Sequence, residues 1–172
     1  MEILIVGVIL VALMVYVSTK IKKSAASAFE REIIEKENFR LVKPDGFISP
    51  IDENSDFAFE AYTKEFGKND ADEFRQAQAN LVVIYDLSFE AIIDHIRKAD
   101  GKVLSEEISE EQGICMIENE KVQENVTVMM FHKIIESKKH HKIYHLQISV
   151  LDAYREIYAG KIDEMLESFV VK

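Results

Sequence analysis

The chain has 172 residues, with 31 acidic against 21 basic side chains and a formal net charge of −10 at pH 7. Leaving out Glu2, Lys20, Lys22 and Lys23, residues 24–172 hold 30 acids and 18 bases, near −12, which argues against nucleic acid and against broad adhesion to anionic lipid, since both need a basic face. A single cysteine, Cys115, excludes an internal disulfide and a cysteine-rich metal framework, and two prolines and six glycines leave little room for a disordered linker.

The run Ile3 to Val17 carries no charge, no proline and no polar side chain except the Tyr16 hydroxyl. Extended to Thr19, it reaches the lower bound of roughly 17 residues that a helix needs to cross a bilayer. The only side-chain charge before it is Glu2, which is unlike a cleaved signal peptide, and the run is apolar all round rather than on one stripe. The expectation is a transmembrane anchor over 1–19, a basic collar and juxtamembrane helix over 20–37, and a soluble domain over 38–172. Because Lys20, Lys22 and Lys23 all follow the span, the domain is expected on the cytoplasmic side, the alternative being extracytoplasmic.

Ser24 to Asn38 shows Phe29, Ile33 and Ile34 at helical spacing and predicts a helix. Phe39 to Lys43 alternates like a strand and stops at Pro44-Asp45-Gly46, a turn signal. The acidic loop with Asp52, Glu53, Asn54 and Asp56 has D-x-N-x-D spacing, but Phe57 and Thr63 stand where a calcium loop needs glycine and glutamate, so it is read as a solvated loop. Phe57 to Tyr62 predicts a second strand, Asn69 to Ala79 a short helix or loop, and Ala79 to Tyr85 a central strand rich in β-branched residues.

Ser88 is a candidate N-cap for a helix over Phe89 to Ala99, whose inner stripe is Phe89, Ile92, Ile93 and Ile96, with His95 beside it and partly buried. Four strands follow as a meander: Lys102 to Ser109, Gly113 to Glu120, Val126 to Ile135 and Lys142 to Val150. Cys115, in the apolar run Ile114 to Ile117, is expected as a buried thiol. In the last hairpin Met129, Phe131 and Ile135 share a face, as do Tyr144, Leu146, Ile148 and Val150; facing both sets to one core pairs odd residues with even. A final helix from Asp152, as N-cap, to Phe169 presents Tyr154, Ile157, Tyr158, Ile162, Met165, Leu166 and Phe169. The class is α+β, an antiparallel sheet flanked by helices.

This order of elements resembles the PsbP/DcrB-like superfamily. The resemblance rests on Phe39-x-Leu41-x-x-Pro44-x-Gly46-Phe47, on the strand-to-helix stretch NLVVIYDLSFEAIIDHI, and on IYHLQIS running through a helix to Ser168-Phe169. It implies an accessory or assembly protein, mostly extracytoplasmic in the family, with no shared catalytic set. The chain departs from it in having no lipoprotein cysteine after the apolar run, and its basic collar argues against export.

Glycine-rich phosphate loops, H-E-x-x-H and G-x-S-x-G are absent, and no cofactor is expected. The expected register sets His132 and His145 nearly opposite each other, a candidate metal pair with Glu118 or Glu120 as third ligand. Lys138, Lys139, His140, His141 and Lys142 form a basic patch on an acidic domain, a candidate contact with lipid phosphates or an acidic partner. Asn125-Val126-Thr127 matches a glycosylation sequon. The functional expectation is a membrane-anchored binding or assembly module without catalytic activity and with a protein partner; the alternative is a metal-dependent or small-ligand-binding protein using the last hairpin.

Overall fold

A computed structural model describes residues 11, 13–20, 27–50, 55–99 and 101–172. Among them ten strands make two antiparallel sheets. The small sheet joins β1 (Glu32–Glu35), β2 (Phe39–Lys43) and β10 (Val170–Val171) in the order β1-β2-β10. The large one joins β3 (Phe47–Ile48), β4 (Phe59–Thr63), β5 (Ala77–Ile84), β6 (Lys102–Ser109), β7 (Ile114–Gln123), β8 (Val126–Ser137) and β9 (Lys142–Leu151) in the order β3-β4-β5-β9-β8-β7-β6. Helix α1 (Phe89–Lys98) and helix α2 (Arg155–Ser168) flank this sheet, so the class is α+β as expected.

Two covered faces shape β8 and β9, where Ile134 and Ile135 and then Ile143 and Tyr144 are buried in succession on opposite sides. Met129 pairs with Val150, Phe131 with Ile148 and Ile135 with Tyr144, the odd-with-even pattern read from the sequence. That inner face meets Tyr158, Ile162, Met165 and Leu166 of α2, and Phe39 and Leu41 of β2, in the main core. On the opposite face α1 lays Phe89, Ile92, Ile93 and Ile96 over Cys115, Ile117, Ile134 and Ile143. Cys115 is thus a buried thiol, and burial pushes its pKa up to about 11, leaving it inert. Ser88 caps α1 as expected, its Oγ accepting from Ala91 N at 3.2 Å.

Three expectations are corrected. The helix over Ser24 to Asn38 is replaced from Glu32 to Glu35 by β1, which pairs Ile33 with Val42 and Ile34 with Leu41. The cause is tertiary: buried Lys43 donates from Nζ to Ala28 O at 2.8 Å and Phe47 O at 3.2 Å, and Gly46 N donates to Phe29 O at 2.7 Å. These bonds hold the segment extended along β2, and two adjacent β-branched residues suit that place better than a helix. Residues 24–26 lie outside the described residues, as do Asp52, Glu53 and Asn54 of the acidic loop. In the last helix Asp152 opens a 3-10 turn and makes no cap bond, and Ile157 is 67% exposed, one residue out of phase with the stripe through Tyr158, Ile162 and Met165.

Among the described residues no helix is long and apolar enough to cross a membrane. Val11 and residues 13–20 are helical and exposed. The rest of the expected span, residues 1–10 and 12, lies outside the described residues.

Candidate functional site

The outer face of the large sheet changes character along its strands. Next to α1, Cys115, Ile134, His145 and Val82 sit side by side on β7, β8, β9 and β5. One step further the row is Ile117, His132, Gln147 and Asn80, and then Asn119, Met130, Ser149 and Gln78. Alternation therefore aims apolar residues under α1 and polar ones at the uncovered half, with the two histidines at the boundary.

His132 is 4% exposed and Asn119 3%. His132 Nδ1 lies 2.9 Å from His145 Nε2, and His132 Nε2 lies 2.9 Å from Asn119 Oδ1. Since a carboxamide oxygen only accepts, His132 donates from Nε2 to Asn119; its Nδ1 then accepts from His145 Nε2–H. Both rings are neutral in this chain of bonds. Burial, with His145 as a second cause, lowers the His132 pKa to about 3, and burial with nearby His95 lowers that of His145 to about 4. Only His145 Nδ1 remains to take a proton or a metal.

The structure thus brings His132 and His145 together as expected but not the third ligand. Glu118 pairs with Phe131 and Glu120 with Met129, so both face the other side of the sheet, where Arg155 Nη2 donates to Glu118 Oε1 at 2.6 Å. Among the described residues no group of three or more histidine, cysteine, aspartate or glutamate side chains is placed to hold a metal. The two histidines stand in a hydrogen-bonded histidine–histidine–asparagine chain, with Asn119 where the expected third ligand would stand. His95, expected partly buried, is exposed and lines a cavity of about 160 Å³ beside His145 and Asn119.

The basic patch forms the tip of the β8–β9 hairpin. Ser137 pairs with Lys142, His140 N donates to Ser137 O at 3.2 Å, and His141 takes a positive φ of 51° to close the loop. Lys138, Lys139 and His141 are exposed, and Lys142 Nζ stands 5.1 Å from the Tyr85 ring centre. A groove of about 500 Å³ runs from Lys138 and Lys139 past Ile135 to Phe169 and Val171. At its margin Lys133 is committed to Leu166 O and Phe169 O, and Lys172 to Glu35. Lys138 and Lys139 have no hydrogen bond or ion pair among the described residues.

The tip lies at a defined end of the domain. Lys36, Glu37 and Asn38, the turn after β1, share a cavity wall with Lys142 and Tyr144. Ala28 and Phe29 are held at the other end of β1, by Lys43 and Gly46. The four residues of β1, at roughly 3.3 Å each, separate the two ends.

No family model matches the chain, and no curated protein matches its sequence. Solved structures do resemble it. The Ran-binding protein Mog1p of Saccharomyces cerevisiae has a TM-score of 0.57 at 14% identity, over 83% of this chain and 96% of that one. LpqN of Mycobacterium tuberculosis, involved in cell envelope biogenesis, has a TM-score of 0.57 at 8% identity, over 83% and 91%. The cyanobacterial PsbP of Synechocystis has a TM-score of 0.52 at 13% identity, over 83% and 92%. The chain has the PsbP/Mog1-like fold. The superfamily resemblance read from the sequence is supported at the level of fold.

Sequence reasoning missed Asn119, Gln78 and Gln147. Their signal was present: Asn119 is in phase with Ile117, and register then places it beside Met130 and within reach of His132.

Proposed function

We propose that the protein is a non-catalytic binding module, held at a membrane by the run Ile3 to Val17, that engages an acidic segment of a partner protein through the hairpin tip Lys138 to Lys142. The observation that carries this reading is a pair of uncommitted lysines beside a groove that mixes Ile135, Phe169 and Val171 with Glu111 and Glu136, on a chain of net charge −10. Opposite charge steers a partner to that one place and fixes its orientation. The fold supports the reading as well, since Mog1p is a Ran-binding protein.

A protein rather than the chain's own bilayer is the occupant in this reading, because the groove beside the tip offers Ile135, Phe169 and Val171 for side-chain packing. The segment leading from the apolar run is clamped at the Lys43 and Gly46 end of β1, whereas the tip stands at the other. The histidine chain, with both rings neutral and only one nitrogen unoccupied, offers neither an activated nucleophile nor a chelate, in keeping with a binding role.

The test compares the full chain with Lys138→Gln/Lys139→Gln in co-purification from native membranes at low and high salt. A partner retained by the unaltered chain, lost from the variant and released by salt supports the reading. Equal recovery by both proteins would remove it.

A further inference from the structure

On the uncovered half of the large sheet lies a groove of about 370 Å³, floored by Gln78, Gln147 and Ser149 and walled by Lys121 and Gln123 on one side and Phe74 on the other. None of the polar side chains in that set has a hydrogen-bond partner among the described residues. Asn119 and the two histidines are tied to one another next door, whereas Gln147 and Ser149 are half-buried and Gln78 and Gln123 are exposed, so these groups are open to a ligand. We propose that this groove is a binding site for a neutral, hydroxyl-rich ligand of the saccharide class.

The chemistry narrows the class by exclusion. An apolar ligand would strip water from three carboxamides and a hydroxyl and return no hydrogen bond, a penalty that defeats binding. An anion such as a phosphate needs clustered, available cations. Here Lys121 is the only lysine of the lining and shares it with the carboxylate of Glu73, and Arg75 is held aside: its Nη1 donates to Lys64 O at 2.6 Å and Thr63 O at 3.3 Å, with its guanidinium 3.9 Å from the Phe66 ring centre. An extended peptide takes its main-chain bonds from a sheet edge, and this groove lies on the face, over β5, β9 and β8, which are all interior strands.

A sugar ring fits what remains. Each carboxamide offers a donor and an acceptor side by side, the pattern that two neighbouring hydroxyls present in return. Phe74, Val128 and Met130 supply apolar surface for the C–H faces of the ring. The volume falls within the roughly 300–1,000 Å³ of small-molecule sites.

The test is amide-resolved NMR of the full chain in a detergent that carries no sugar headgroup, titrated separately with glucose, galactose, N-acetylglucosamine, maltose and lactose. The controls are inorganic phosphate and tetra-alanine. At least one sugar should give saturable shifts centred on Gln78, Gln123, Gln147 and Ser149, and the controls none. Gln78→Leu and Gln147→Leu should each weaken that binding about tenfold, the value of one lost hydrogen bond, with unchanged amide spectra elsewhere showing that the fold persists. No saturable shift at these residues with any sugar, equal shifts with phosphate or tetra-alanine, or unaltered affinity in both variants would overturn the proposal.

Discussion

Acidification should destabilise the domain through His132 and His145 before its carboxylates are affected. In the unfolded chain both histidines titrate at about 6.5. In the folded protein burial lowers them to about 3 and about 4. Below the unfolded value the unfolded state binds protons that the native state refuses, so stability falls as pH falls, until the folded values are reached. At about pH 5 each histidine contributes roughly 1.5 pH units of this difference, about 2 kcal/mol, or about 4 kcal/mol for the pair relative to about pH 7.5. Carboxylates enter only below roughly pH 4.5, so the window is separate. The assay is urea unfolding followed by circular dichroism across this range, for the protein and for His132→Asn/His145→Gln. The variant starts lower but should lose most of the slope. A flat profile in the unaltered protein, or an equal slope in the variant, would refute the neutral, buried pair.

Other substitutions test the frame around it. Leu166→Ala, at a residue 6% exposed in the main core, should cost about 2–5 kcal/mol in the same unfolding assay. Ser88→Ala removes the α1 cap and should cost about 1 kcal/mol. Lys43→Met leaves the Ala28 and Phe47 carbonyls without their donor, and hydrogen exchange at Gly46 and along β1 should accelerate more than at β8. Protease added to intact cells should spare the domain if Lys20, Lys22 and Lys23 hold it on the cytoplasmic side, and digestion without lysis would reverse that orientation.

Period and turn chemistry made much of the domain legible. Lys102–Ser109 is a strand at the expected bounds, and the alternation of Met129, Phe131 and Ile135 against Tyr144, Ile148 and Val150 gave the hairpin register. Illegible were elements made by contacts distant in sequence. β1 exists because Lys43 and Gly46 hold the backbone of Ala28 and Phe29, and β10 because Val170 finds Arg40. Two residues cannot announce a strand by periodicity. In the site, the meeting of His132 and His145 could be read from the register, but the fate of Glu118 could not. Alternation with Ile117 and Asn119 puts it on the other face, but its partner there, Arg155, lies 37 residues away in the chain and only the fold brings the two together.

The most direct test of the binding role places a photo-cross-linking residue at Lys139 of the full chain in native membranes, with Gln123, at the far end of β7, as the control position. The account predicts a discrete protein adduct from position 139 alone, joined through an acid-rich peptide by mass spectrometry and diminished by salt or by Lys138→Glu. Adducts with lipid at position 139, or the same adducts from both positions, would contradict it.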